Sequence, residues 1–222
     1  MDKMKEIEIN PLTHQEYSRS SFNTIKKETK DLTIVITAYK TKYELEVILN
    51  CLLGQQLQNF KVIVLNDGGD PNFQKIIQKY RVYNDIKFYS TNERFNDWGY
   101  TLRNKALAKV DTEWILNTND DNYYVPTFTK ELKPYMAGND FIMYNCIHSH
   151  HRADLQGSYQ LLKPKLKLGG IDLGQFVIKT NIVKNLKFNE KNVSADGEFI
   201  ETLNDRYNYS FKHIDKCLFI HN

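Results

Sequence analysis

The chain has 222 residues, 41% of them hydrophobic and 26% charged, and its 30 Lys+Arg against 27 Asp+Glu leave a formal charge of +3. That length suits one sizeable domain or two small ones, and a domain of this size buries roughly 70% of its unfolded surface without disulfide or metal staples. The composition excludes a disordered chain, and the near-balance of charge excludes a nucleic-acid binder driven by overall charge.

Residues 1–30 hold no apolar stretch long enough for a signal peptide or a membrane span. They read as a leader, helical at most, whose alternative role is a peripheral contact with a membrane surface. Cys51, Cys146 and Cys217 are odd in number and form no CxxC pair, which favours a reducing compartment and a cytoplasmic location.

The character changes at Asp31. Residues 32–38 are a β-branched run apolar on both faces, the pattern of a strand buried inside a parallel sheet. Thr41 and Glu44 have capping-box spacing, Leu45, Ile48, Leu49 and Leu52 recur at helical period, and Gly54 closes that helix. A second buried strand is expected at 60–65, a helix at 72–80, a strand at 86–90, a helix at 99–109 and a fourth strand at 113–116. This alternation predicts an open α/β sheet with right-handed crossovers. Beyond it, 141–146 and 175–178 read as strands, 179–186 and 195–203 as helices, and 211–220 as one or two terminal strands. Lys163, Lys165 and Lys167 alternate with apolar residues as on a solvated strand face, with an anionic or lipid-linked acceptor as the alternative contact.

Polar residues gather where the strands end: Thr37, Ala38 and Tyr39, then 66–70, 90–92 and 117–122. Ligands of open α/β sheets sit beyond the carboxyl ends of the strands, so these four termini are expected to line one crevice. No GxxxxGK[ST] and no GxGxxG is present, which excludes the usual phosphate and dinucleotide loops. Asn119, Asp120, Asp121 and Asn122 form an oxygen-rich turn suited to a hard divalent cation, Mg²⁺ or Mn²⁺; an ordinary Asx turn is the structural alternative.

LTIVITAY (32–39), VIVLNDG (62–68), RNKAL (103–107) and WILNTNDD (114–121), in this order and spacing, resemble a family 2 glycosyltransferase with the GT-A fold. The resemblance implies a Rossmann-like, mostly parallel sheet forming a single domain over 31–222, with a nucleotide-sugar half at 31–125 and an acceptor half at 126–222. It implies transfer of a sugar from a nucleoside diphosphate sugar, commonly UDP-linked, to a hydroxyl of a glycan or lipid-linked acceptor, with inversion and with Mn²⁺ or Mg²⁺. By position, Thr37, Ala38 and Tyr39 wall the nucleobase site, Asp67 recognises the base, and Arg103 lies close to the donor nucleotide. Asp120 and Asp121 meet the metal and diphosphate, although Asn119 or Asn122 stands where many members carry a third carboxylate. His221 matches the C-terminal histidine that often closes the metal site.

Inverting transfer needs a base for the acceptor hydroxyl. Residues 194–201 read as a helix opening on Ser194, which puts Asp196 in the first turn, where the positive helix end favours the carboxylate. The family places its base there, after a segment matched by KFNE (187–190). Ala195 replaces the first acid of the usual pair, so Asp196 is the expected base and Glu198 its understudy. Asp172 and Gln175, on a glycine-flanked loop, are expected to meet sugar hydroxyls or to form an ordinary turn. Trp98, Tyr123 and Tyr124 offer aromatic faces or core packing. His148, His150 and His151 lack zinc-finger or HExxH spacing and read as solvated or substrate-facing. A sugar-phosphate nucleotidyltransferase and a non-catalytic glycan-binding module are the alternatives; the first lacks its glycine-rich loop after strand one.

Overall fold

The computed structural model describes residues 5–6, 30–41, 43–149, 159–191 and 195–221. Most of the leader, His150, His151 and Ser194 lie outside the described residues. The strands are β1 (Lys5–Glu6), β2 (Leu32–Ala38), β3 (Phe60–Asn66), β4 (Ile86–Ser90), β5 (Trp114–Asn119), β6 (Tyr123–Tyr124), β7 (Phe141–Ser149), β8 (Tyr159–Leu162), β9 (Phe176–Lys179) and β10 (Phe211–His221). The helices are α1 (Glu44–Leu53), α2 (Pro71–Tyr80), α3 (Tyr100–Ala106), α4 (Phe128–Met136), α5 (Thr180–Asn185) and α6 (Ala195–Arg206).

All ten strands join one sheet in the order β1-β4-β3-β2-β5-β9-β7-β10-β6, with β8 paired to β7. β4, β3, β2 and β5 are mutually parallel, as the alternating pattern predicts. β9 runs antiparallel between β5 and β7, and so couples the two halves of the chain. Because strand side chains alternate, β2 feeds two cores. Leu32, Ile34 and Ile36 pack with Leu45, Ile48, Leu49 and Leu52 of α1, and with α2 and α4. Val35 joins Ile63, Leu65, α3, α5 and α6 on the opposite face. Each fully buried Leu or Ile contributes roughly 1.5–3 kcal/mol.

Several expectations shift. The fourth strand continues past 116 to Asn119, because Asn117, Thr118 and Asn119 stay in register with Val35, Ile36 and Thr37. Thr118 and Asn119 find side-chain partners there: Thr118 Oγ1 accepts from Asn122 Nδ2 at 2.8 Å, and Asn119 Oδ1 accepts from Thr37 Oγ1 at 3.2 Å. α3 stops at Ala106 and tightens into a 3₁₀ turn at Leu107–Lys109. Thr41 Oγ1 accepts from Leu45 N at 3.1 Å, whereas Glu44 bonds the Tyr43 amide, so the expected reciprocal box is not formed. The 163–167 segment is no strand: Lys165 N donates to Gly170 O and Lys167 N to Lys165 O, a turn that buries Pro164. The chain end is a single strand, β10, whose register slips between Ile214 and Cys217 and again before Phe219. β6, α4 and β8 had no expectation; Pro134 lies inside α4 and interrupts its helical signature.

Candidate active site

The carboxyl ends of β2, β3 and β5 open on a cavity of about 350 Å³. Thr37, Ala38 and Tyr39 lie between Asp67 on the β3 side and Asn119, Asp120 and Asp121 on the β5 side. Backbone bonds from Asp67 N to Ala38 O and from Asp120 N to Thr37 O fix these three termini against one another. Ser90 and Thr91, expected to line the crevice, instead brace it. Gly68 N donates to Thr91 Oγ1 at 2.9 Å and Ser90 Oγ donates to Gly68 O at 3.1 Å.

The remaining wall is the loop after β4, which the sequence reading passed over except for Trp98. Asp67 accepts from Phe95 N at 2.8 Å and Asn96 N at 3.2 Å, and Arg94 stacks on the Tyr39 ring 3.5 Å from its centroid. Asn96 and Trp98 both adopt φ 56°, a left-handed conformation unfavourable to residues with a Cβ. Asp97 holds it in place, accepting from Gly99 N at 3.1 Å and Thr101 N at 2.8 Å. The Trp98 side chain is 60% exposed at the cavity edge.

Arg103 lies behind the wall, 1% exposed, and is not among the residues that line the cavity. Its guanidinium donates to Trp98 O at 2.7 Å and Thr37 Oγ1 at 2.6 Å, and also to Asn119 Oδ1. One buried cation thereby ties the β2 end, the β5 end and the loop together. Neighbouring Asn104 reaches the other way, exchanging two 3.0 Å bonds with the Phe188 backbone and donating to Glu190. That clamp sets the segment leading to α6.

Burial pushes the Asp120 carboxyl up to about 7, with Asp121 beside it adding to the rise. Burial also raises Asp121, against the pull of His221. A cation would relieve both. His221 is the last residue of β10, paired in register with His148 of β7. Its Nε2 lies 3.5 Å from Asp172 Oδ2, and ligand atoms of His148, Asp172 and His221 all fall within 4.8 Å of one another. Two imidazoles, one carboxylate and the nearby acidic turn are a donor set that fits a divalent ion.

Asp196 opens α6, half-buried, with its Oδ1 accepting from Gly197 N at 2.8 Å. Its carboxyl is raised, first by burial and then by Asp172, with Arg103 opposing. Desolvation therefore outweighs the helix end that the sequence reading invoked. Glu198 engages Asn189. Gln175 is fully buried and completes a capping box with Asp172, donating to Tyr144 O and Leu162 O, so it meets no sugar. Tyr124 is likewise core, its hydroxyl donating to Gly174 O at 3.1 Å. Asp172 stands within electrostatic reach of both Asp121 and Asp196.

The family described as Glycosyl transferase family 2 matches residues 33–189. Chondroitin synthase of Pasteurella multocida (strain Pm70) is 32% identical over 120 residues, which are 50% of this chain and 12% of that protein. The chain thus spans a small part of that relative's length. S. aureus TarS 1-349 in complex with UDP superposes with a TM-score of 0.71 at 18% identity, over 86% of this chain and 60% of that one. Mannosyltransferase PcManGT from Pyrobaculum calidifontis, in complex with GDP-Man and Mn²⁺, gives 0.65 at 13% identity, over 88% and 57%. Both structural likenesses show the GT-A fold.

Proposed function

The chain belongs to glycosyl transferase family 2, and from that premise we propose that it moves a sugar from a UDP-sugar to a hydroxyl of a glycan or lipid-linked acceptor, with inversion. The observation that carries this reading is the convergence of Tyr39, Asp67 and the Asp120 and Asp121 turn on one cavity. Tyr39 and Asp67 are assigned here to the base, and the Asp120 and Asp121 turn to the diphosphate. The UDP complex of TarS supports uracil as the base.

In this reading the base packs against Tyr39, whose other partner is Arg94, while Asp67 accepts from the pyrimidine edge. Arg103 acts at one remove, holding Thr37 and the Trp98 loop in shape. A divalent ion, when bound, supplies charge neutralisation at the diphosphate; Asp120, Asp121 and His221 are the residues that would hold it. Asp196 takes the acceptor proton as the hydroxyl oxygen bonds the anomeric carbon. The bond from that carbon to the diphosphate oxygen breaks, and its electron pair leaves with the diphosphate. Attack opposite the leaving group gives inversion. A raised carboxyl pKa suits the task, because a base nearer the working pH is stronger. Three cysteines that remain free thiols accord with the cytoplasmic location proposed here.

Calorimetric titration with UDP, GDP, ADP and CDP in Mn²⁺ tests the donor assignment. UDP is expected to bind at least about tenfold more tightly than the others, the worth of 1.4 kcal/mol. Equal affinities, or a preference for GDP, would remove uracil recognition by Tyr39 and Asp67.

A further inference from the structure

The Trp98 side chain takes no part in the preceding reading, although Trp98 lines the same cavity. Its indole is 60% exposed, whereas Trp114, the chain's other tryptophan, is 1% exposed. Trp98 belongs to neither hydrophobic core, and among the described residues no ring stacks on its indole and no group bonds its Nε1. The backbone beneath it stands at φ 56°, a conformation that Asn tolerates at position 96 but that costs free energy for a large side chain. Three anchors hold it there. Asp97 accepts from Gly99 N and Thr101 N, the buried Arg103 guanidinium donates to Trp98 O, and Gly99 lies so close to Thr37 that a Cβ would meet its side chain at 2.9 Å. The loop starts at the base end, where Asp67 accepts from Phe95 N and Asn96 N. It ends at Tyr100, whose hydroxyl is within reach of the Asp196 backbone. Trp98 lies midway along that path.

We propose that the Trp98 indole is a platform for the apolar C–H face of a pyranose at the cavity edge, so that the protein holds a sugar ring there as well as a nucleotide. The inference rests on the preceding reading for the donor end of the cavity, and it names a binding residue which that reading leaves out. The face of an aromatic ring carries partial negative charge, and the axial hydrogens of a pyranose carry partial positive charge, so the two faces attract. The sugar hydroxyls then stay at the edge of the stack, where Asn96 and Asp121 line the same cavity. Tyr39 is not equivalent, because Arg94 already stacks on its ring. A platform fixed in advance binds without a further ordering cost, which gives the strained backbone a physical reason. The donor's sugar and the acceptor's terminal sugar offer the same face, and measurement separates them.

Trp98 is the exposed member of the tryptophan pair, so intrinsic fluorescence reports on it directly. In Mn²⁺, the full chain and its Trp98→Ala, Trp98→Phe and Trp98→Gly variants are titrated with UDP, with UDP-glucose and UDP-N-acetylglucosamine, and with maltohexaose and chitohexaose in the presence and absence of UDP. Calorimetry supplies the affinities. At least one sugar-bearing probe is expected to change the native emission beyond the change that UDP alone produces. That probe should bind Trp98→Ala about fivefold or more weakly, with Trp98→Phe restoring part of the loss and UDP affinity staying within about twofold throughout. A nucleotide-sugar response places the donor's ring on Trp98, and an oligosaccharide response places the acceptor's. Glycine adopts φ 56° without penalty, so Trp98→Gly should keep or raise the thermal midpoint while losing sugar affinity. The proposal is overturned if UDP alone gives the whole emission change, or if UDP and the sugar-bearing probes weaken equally in Trp98→Ala. It is also overturned if no sugar-bearing probe distinguishes that variant from the native chain, or if Trp98→Gly lowers the midpoint and leaves sugar binding intact. UDP binding that survives such a result leaves the donor reading standing. A native chain that binds an oligosaccharide through Trp98 but no UDP removes the donor reading and keeps this one.

Discussion

Arg103 and Asn104 are adjacent in sequence and hold opposite halves of the site. The arginine gathers Thr37, Asn119 and the Trp98 backbone, and the asparagine pins residues 188–190 ahead of α6. A resemblance places Arg103 near the nucleotide, but the role of Asn104 depends on a segment 84 residues away, which no local pattern encodes. The same is true of Arg94, whose partner Tyr39 sits on another strand end. Asp196 is the residue whose chemistry is most exposed to test. Burial raises its carboxyl, so the proton leaves at a pH above the ordinary carboxylate value near 3.9. A base must be deprotonated; activity is therefore expected to fall as pH drops through that raised pKa. A profile of kcat/KM against pH should show its acid limb above pH ~4, and Asp196→Asn should erase turnover while UDP affinity stays within about twofold. An acid limb at or below pH ~4 would show that burial does not govern this group.

Among the elements, the loop between β4 and α3 carries more of the site than its sequence suggests. It contains two non-glycine residues at φ 56° and Gly99 at φ 82°. A Cβ at Gly99 would lie 2.9 Å from the Thr37 side chain, itself bonded to Arg103. Gly99→Ala thus combines a disfavoured backbone with a clash against the cavity wall, and is expected to cost about 1–3 kcal/mol in denaturant unfolding. UDP binding should weaken with it; unchanged stability and unchanged affinity would mean that this wall is soft. The buried parallel strands and α1 were legible because β-branched runs and a 3.6-residue period report burial directly. The fourth strand was read too short because Asn117 and Thr118 look like turn formers, and only pairing with β2 keeps them extended. Alternation misled at 163–167, where turn hydrogen bonds produce the same exposed-buried rhythm as a strand.

At the scale of the molecule, a near-neutral sum of charges conceals a sorted distribution. Asp67, Asp120 and Asp121 line one cavity, Asp172 is within electrostatic reach of Asp121 and Asp196, and Arg103 is buried behind the cavity wall. Antiparallel β9 joins the regular first half to β7 and β10, and His221 and Asp172 come within electrostatic reach of Asp121 at the cavity. The first half of that arrangement follows from strand order. The second follows from β7, β9 and β10 pairing across long sequence separations, which is why Asp172 and His148 were not recognised as neighbours of His221. Among the described residues, no helix is long and apolar enough to cross a membrane. The central claim, that this crevice splits a nucleotide sugar by acceptor attack, is tested most directly by UDP release. The protein is incubated with UDP-sugars, Mn²⁺ and glycan or lipid-linked acceptors, and free UDP is measured for the native chain and for Asp196→Asn. The account predicts acceptor-dependent UDP release by the native chain and its loss, by about a hundredfold or more, in the variant. Equal release by both, or none from a native chain that binds UDP with every acceptor supplied, would contradict it.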